Sequence, residues 1–283
     1  FAIPTWAMGL VLMAIVAPII FGGLKSIAKV AELVVPLMAL LYLILALVVV
    51  ALNISDLPAA IMTIVQSAFG IEQAAGGAMG YAISQAIMNG IQRGLFSNEA
   101  GMGSAPNAAA TASTRPDHPA AQGFIQMLGV FLDTLVICTA TAAIIIMAGP
   151  ELLAGENSNG IQLTQMALSS HVGDWGGMFV AIAILLFAFT SVIANYSYGE
   201  SNIEYLAGRR APVAVMIYRF AVLGMIMVGS VASLGAIWNF ADLSMGMMAI
   251  INLVAILLLS PIAFALFKDY DTQLKAGKEP VFD

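Results

Sequence analysis

Apolar runs long enough to cross a lipid bilayer recur along this chain. A membrane-spanning helix needs about 20 predominantly apolar residues, and here 61% of the residues are hydrophobic while only 9% are charged. A soluble domain of 283 residues has too small an interior to bury so much apolar surface. The sequence therefore predicts an all-α polytopic membrane protein in which residues 1–283 form a single transmembrane domain.

We expect about seven membrane passes, one of them broken. The expected passes are 3–22, 27–53, 76–113, 124–148, 176–198, 213–232 and 243–267, and residues 268–283 follow as a charged tail. Residues 53–70 carry apolar side chains at helical spacing, which predicts either a helix at the membrane interface or a short re-entrant segment. No initiator methionine precedes Phe1, so we interpret the sequence as a piece of a longer protein.

The basic residues predict how these passes are oriented. If the passes alternate, nine of the ten Lys and Arg residues fall on one side of the membrane: Lys25, Lys29, Arg115, Arg209, Arg210, Arg219, Lys268, Lys275 and Lys278. Basic loops stay in the cytoplasm, so this side is cytoplasmic and the tail 268–283 lies there too. The expected location is the cytoplasmic (inner) membrane.

A polar stretch at 96–106 interrupts the third pass. It carries two glycines and a proline between apolar helical flanks. Unpaired backbone groups are costly in lipid unless they line a cavity, and broken helices of transporters bind substrate and coupling ion. Freed carbonyls suit Na⁺, and free N–H groups suit a carboxylate. The substrate-binding candidates are Phe96, Ser97, Asn98, Glu99, Gly101, Met102, Gly103 and Ser104. The alternative is a kink kept for packing alone.

Arg93, the tenth basic residue, tests where the helix breaks. If the helix ran unbroken to Arg93, residues 94–119 would form a long alanine-rich loop in water. We favour a break at 96–106, which makes residues 108–113 the inner half-helix and places Arg93 in the outer half. Glu99 is an ionisable group at membrane depth, which indicates a function; the alternative is a structural pair with Arg93. Arg93 with Asp242 is a further candidate pair, as an extracellular gate.

The run GLFSNEAGMGSAP at 94–106, followed by NAAATA, resembles the signature of the alanine/glycine:cation symporters, the sodium:alanine symporter family. Segments at 131–134, 138–141, 187–191, 198–200 and 238–242 resemble the same family. The resemblance implies a partial leucine-transporter-type inverted-repeat fold, in which the seven passes correspond to the fourth to tenth helices. It also implies that the amino-terminal part, with the first broken helix, is missing. Asn195 departs from the family pattern, which leads us to expect a larger aromatic residue.

Two pairs of residues are candidates for ion binding. Asp133 and Thr134 lie near the middle of their pass, either as Na⁺ ligands, as a polar link to the broken helix, or as a pair that serves helix packing. The resemblance implies that Thr190 and Ser191 complete a sodium site. From the residues alone, a Thr-Ser pair in a membrane helix more often bonds its own backbone.

The preferred prediction is sodium-coupled symport of a small neutral amino acid, alanine or glycine, by alternating access. Its partners are the amino acid, Na⁺ as coupling ion and the lipid bilayer, with no other cofactor and no nucleic acid. The alternatives are a proton-coupled carrier of the same fold and an inactive truncated remnant. The protein is not expected to be an enzyme, because no histidine lies in any pass to activate Ser104. A channel would need repeated polar positions along a pore, and a single cysteine, Cys138, argues against a transition-metal site.

Overall fold

The computed structural model describes residues 3–69, 79–149, 152 and 160–282. Regular structure within these ranges is helical throughout, without strands. The α-helices are α1 Thr5–Phe21, α2 Gly23–Leu52, α3 Leu57–Ala68, α4 Met79–Asn98, α5 Ala105–Ala109, α6 Pro119–Phe131, α7 Thr139–Met147, α8 Ile161–Val172, α9 Asp174–Ala207, α10 Ala211–Val231 and α11 Leu234–Lys275. A π-helical segment, Leu132–Cys138, joins α6 to α7, and a 3₁₀ turn, Gly208–Arg210, joins α9 to α10.

Among the described residues, four helical stretches are long and apolar enough to cross a membrane. They are Gly23–Leu52, Pro119–Met147, Asp174–Val231 and Leu234–Lys275. The third comprises α9 and α10, where the sequence predicts two passes. Most large apolar side chains of α11 are exposed, as expected of a helix that faces lipid. The all-helical membrane class is therefore confirmed.

Several helix boundaries differ from the sequence-based expectation. The last helix is much longer than 243–267, because α11 begins at Leu234 and continues to Lys275. The expected tail 268–283 is thus helical in its first half. Residues 53–70 do contain a helix, α3, of 12 residues. The start of the expected pass at 76 lies outside the described residues, and α4 begins the described part of that pass.

The expected inner half-helix at 108–113 is wrong. The short helix α5 lies earlier, at Ala105–Ala109. Pro106 favours a helix start there, because its fixed φ suits the first turn and its missing N–H costs nothing. Beyond Ala109, Thr111 donates its hydroxyl to Ala108 O at 2.9 Å, and such side-chain bonds compete with helical ones.

The chain divides into two compact units. The first comprises residues 1–17, 92–134 and 195–283, and the second comprises residues 18–91 and 135–194. In the second unit, α7 packs against α2, α3 and α8. Its buried core consists of Leu45, Ala46, Val49, Ile144, Ala167, Leu168 and Val180. The first unit contains the broken segment and the helices that surround it.

Candidate functional site

The helix breaks between Asn98, the last residue of α4, and Ala105, the first residue of α5. Glu99 has φ +58° and Gly103 has φ +83°. A positive φ is uncommon in residues other than glycine and costs about 1–3 kcal/mol, so Glu99 is held there by its surroundings. The break lies inside the predicted stretch 96–106. Ser97 and Asn98 still belong to the last turn of α4.

Two side chains of that last turn bind the π-helical segment. Ser97 Oγ donates to Asp133 Oδ2 at 2.6 Å, and Asn98 Nδ2 donates to Thr134 Oγ1 at 3.2 Å. Asn98 Oδ1 also accepts from the backbone N–H of Ala100 at 3.1 Å, which caps the break. A hydrogen bond to a carboxylate is stronger than one between neutral groups. The structure thus brings together four residues that the sequence predicts as site residues: Ser97, Asn98, Asp133 and Thr134. The last two lie in the π-helical segment, and π-helices are often found at functional sites.

Glu99 lies inside the break and its carboxylate accepts a hydrogen bond from a hydroxyl group. Ser104 Oγ, on a buried side chain, donates to Glu99 Oε2 at 2.9 Å. The side chain of Tyr198, from α9, lies near this carboxylate. Arg93 pairs with Asp242 and not with Glu99 among the described residues. The structural pairing of Glu99 with Arg93 is therefore wrong. Met102, also predicted as a site residue, is buried in the same loop.

Asn252 is a site residue that the sequence analysis missed. Its Nδ2 donates to Ala100 O at 3.0 Å and to Gly101 O at 2.9 Å, so α11 is bonded directly to the break. A Cβ added to Gly103 would lie 2.8 Å from Asn252 Cγ. The signal was present, because Asn252 is the only polar side chain between Met245 and Leu259, and a lone polar residue at membrane depth indicates a site.

Arg93 and Asp242, the predicted gate pair, are in contact. Arg93 Nη2 donates to Asp242 Oδ2 at 3.0 Å, with the side chains 45% and 24% exposed. The guanidinium also lies 4.5 Å from the ring centre of Trp238, a cation–π contact. Phe96 packs edge-on against the same ring at 5.4 Å. A charged pair and two aromatic rings therefore lie together beside the end of α4.

Thr190 and Ser191 belong to the second unit, so the contacts of the first unit do not include them. The Thr190 hydroxyl donates to Leu186 O at 3.0 Å and to Phe187 O at 3.1 Å. This backbone bonding is the arrangement that the residues alone favour. The side chain of Thr190 is buried and Ser191 is exposed.

A second polar cluster lies between α9 and α10. Arg219 Nη2 donates to Glu200 Oε1 at 2.8 Å, and Arg219 Nε donates to the Tyr196 hydroxyl at 3.0 Å. The second carboxylate oxygen, Glu200 Oε2, is buried without a hydrogen-bond partner among the described residues. Tyr196 stacks on Tyr218, with the ring centres 5.3 Å apart. Arg219, which the sequence analysis counted only as a topology marker, is thus a buried ion-pair partner.

The connection after the break is held by the carboxyl-terminal segment. His118 is fully buried, caps α6 by accepting from Ala120 N, and has Nε2 3.2 Å from Asp269 Oδ2. Phe282 donates its backbone N–H to Asp117 O at 3.0 Å and packs edge-on against His118. Beside it lies a cavity of about 780 Å³. Its lining comprises Ala109, Ala110, Ala112, Ser113, Thr114, Arg115, Asp117, Pro119, Gln122, Gly123, Gln126 and Phe282.

Long apolar helices and a broken, oxygen-rich helical segment define an integral membrane protein of the transporter class. The sequence model of the sodium:alanine symporter family matches residues 1–283. The chain belongs to that family, as the motif at 94–106 indicates. It is therefore a member of a transporter family and not of an enzyme family.

Curated relatives cover almost the whole chain. The "Probable sodium/glutamine symporter GlnT" of Bacillus subtilis (strain 168) is 53% identical over 275 residues, 97% of this chain and 55% of that protein. The "Amino-acid carrier protein AlsT" of the same organism is 50% identical over 275 residues, 97% of this chain and 57% of that protein. The "Sodium/alanine symporter AgcS" of Methanococcus maripaludis is 39% identical over 272 residues, 96% of this chain and 58% of that protein. The chain thus spans somewhat more than half the length of these relatives.

Proposed function

We propose that this chain is part of a sodium-coupled symporter for a small neutral amino acid, alanine or glycine, and that it supplies the broken helix α4–α5. One observation carries the proposal: the main chain leaves the helix at residues 99–104 between apolar helices, and the freed carbonyls and polar side chains converge there. Transporters use such breaks for a substrate and its ion. Family membership and the names of the curated relatives support sodium-coupled amino-acid transport.

In this proposal the break binds the amino acid. The carbonyl oxygen of Gly101 receives its ammonium group, since this oxygen has two lone pairs and accommodates a second donor beside Asn252. Ser97, Asn98 and Ser104 supply further polar contacts. Phe96 and Met102 bound the site with apolar surface, and Gly101 with Gly103 keeps it small. A small site favours alanine or glycine. One relative is named as a probable sodium/glutamine symporter, and glutamine is a larger amino acid.

The ion sites are also proposed from chemistry. Na⁺ is a hard cation and prefers oxygen ligands, so Asp133 and Thr134 are candidates beside the break. Their bonds to Ser97 and Asn98 make them the polar link as well. Thr190 and Ser191 are the second candidate pair. In that role the Thr190 hydroxyl would keep its backbone bonds and offer a lone pair to the ion.

We propose that the passes correspond to the fourth to tenth helices of a leucine-transporter-type fold, seven in all. The supporting observations are the interrupted helix α4–α5 and the long apolar helices after it. The distribution of basic residues supports a cytoplasmic carboxyl-terminal segment and a location in the cytoplasmic membrane. Alternating access then exposes the break to each side in turn, with Arg93 and Asp242 closing the outer side.

Uptake measurements test this function. Cells that express the complete gene should accumulate labelled alanine when Na⁺ is present outside, and not when choline replaces it. Unlabelled alanine loaded inside should accelerate the entry of labelled alanine, as expected of a carrier and not of a channel. Uptake that follows a proton gradient without Na⁺ would favour the proton-coupled alternative. No uptake under either gradient would favour an inactive remnant.

The ion role of the second unit has its own test. The double variant Thr190→Ala/Ser191→Ala should raise the Na⁺ concentration for half-maximal uptake while the alanine KM at saturating Na⁺ changes little. An unchanged Na⁺ requirement would refute the assignment. Thr63→Ala is a matched control, because the Thr63 hydroxyl is exposed and, within the described part of the chain, donates to Ala59 O of its own helix.

A further inference from the structure

The side-chain amide of Asn252 replaces helical hydrogen bonds that the break removes. In an unbroken helix, Gly101 O would accept from the N–H of Ala105, four residues on. Here the N–H of Ala105 points to Glu99 O instead, at 3.4 Å. The two hydrogens of Asn252 Nδ2 go to Ala100 O and Gly101 O, at 3.0 and 2.9 Å. One nitrogen atom therefore holds two successive carbonyl groups.

The side chain of Asn252 also packs closely against Gly103. A Cβ at position 103 would lie 2.8–2.9 Å from three atoms of the Asn252 side chain, closer than atoms in van der Waals contact. The positive φ of Gly103 brings the loop toward α11 at this point. The side chain of Asn252 is thus fixed from both ends, by hydrogen bonds at its amide and by the main chain of Gly103.

Asn252 is a polar residue among apolar ones. Its neighbours Ile250, Ile251, Leu253 and Val254 are apolar and exposed. A polar amide on such a helix is costly in lipid and is kept where it has a specific partner. Among the described residues, its amide nitrogen donates to two carbonyls of the break.

We propose that Asn252 is a positioning residue of the transport site, which orients the carbonyls of Ala100 and Gly101 and couples α11 to the break. This inference rests on the proposed function. Gly101 O keeps one lone pair for an incoming ammonium group while Asn252 holds the other. Ala100 O is held by Asn252 and also by the backbone N–H of Gly103, at 3.3 Å. Movement of α11 then changes the geometry of the site directly, and a bound amino acid favours the position of α11 that fits it.

Two variants with nearly the same shape as asparagine separate the effect of the amide hydrogen bonds from the effect of side-chain size. Asn252→Leu removes both donors, and Asn252→Asp replaces them with acceptors that repel the carbonyls. Each should raise the alanine KM by at least about tenfold, because removing the donor to Gly101 O and one donor to Ala100 O has that scale of effect. Maximal uptake per transporter at the cell surface should change much less than KM. Ser260→Ala is the control on the same helix, since among the described residues that hydroxyl donates to Leu257 O of its own helix.

A second measurement does not depend on transport. Hydrogen exchange at the backbone amides of residues 99–105 should become faster in Asn252→Leu, and not in Ser260→Ala, because the break loses its hydrogen bonds to Asn252. Asn252→His retains one donor and should give an intermediate KM, even if the other variants fold poorly. KM and exchange equal to those of the control would overturn the proposal. If the wild-type protein takes up no alanine, the proposed function fails, and the exchange measurement still tests whether Asn252 holds the break.

Discussion

The buried pair Glu200–Arg219 gives a prediction of stability that depends on charge and not on the transport cycle. The two side chains are 3% and 16% exposed and their charged atoms are 2.8 Å apart. Glu200 Oε2 is already without a partner among the described residues. Replacing Arg219 by Met would therefore leave a buried carboxylate without its positively charged partner. We expect a large loss of stability from this single change.

Removing one partner of a buried ion pair costs about 3–5 kcal/mol, whereas replacing both with apolar residues is often close to neutral. Apparent melting temperature shifts by roughly 2–4 °C per kcal/mol in domains somewhat smaller than this chain. Arg219→Met should thus lower it by roughly 6–20 °C in detergent. The double variant Glu200→Met/Arg219→Met should recover most of that loss, because no unpaired charge remains.

Thermal unfolding of the purified protein, scanned at one fixed rate, measures these shifts. Arg210→Met is the control, because Arg210 lies exposed in the 3₁₀ turn. A single variant that melts with the control would show that the pair is not buried as described. A double variant as unstable as the single one would show that packing, and not the unpaired charge, is what Arg219 contributes.

Three further predictions concern the break and its surroundings. Arg93→Asp and Asp242→Arg should each abolish uptake, and the double variant that exchanges the two charges should restore it. Stability should change by at most about 1 kcal/mol, because the pair is partly exposed. Failure to restore uptake would dismiss the gate. Gly103→Ala should abolish uptake, since its φ is +83° and its Cβ would meet the side chain of Asn252, whereas Gly246→Ala, whose Cβ would enter open space among the described residues, should transport normally. Tyr198→Phe should raise the alanine KM by roughly fivefold, because it removes a hydroxyl near the carboxylate of Glu99, and an unchanged KM would exclude that hydroxyl from the site.

The sequence identified the break because its signals are local. Glycines, a proline and polar side chains within eleven residues cannot continue a helix in lipid without help. The same local reasoning failed at the inner half-helix, where an alanine-rich run at 108–113 favours a helix by propensity. The hydroxyl of Thr111 donates to Ala108 O, and this side-chain bond competes with helical bonding just beyond Ala109.

The partners of the break are distant in sequence, and this is why they were missed. Asn252 is about 150 positions from the carbonyls that it binds. Its polarity in an apolar helix indicates that it has a partner, but nothing local says which one. Arg219 shows the same limit, because a charge count places it on a side of the membrane and says nothing of Glu200. By contrast, Arg93 and Asp242 were paired correctly from their expected depth in the membrane.

The return of Phe282 to the loop at Asp117 and His118 has a practical consequence for labelling. A fluorescent protein or affinity tag inserted directly after Phe282 would crowd His118, whose side chain is fully buried. A long, flexible spacer avoids that collision. A small environment-sensitive dye attached next to Phe282 would instead report any change in the packing of this loop as a change in fluorescence.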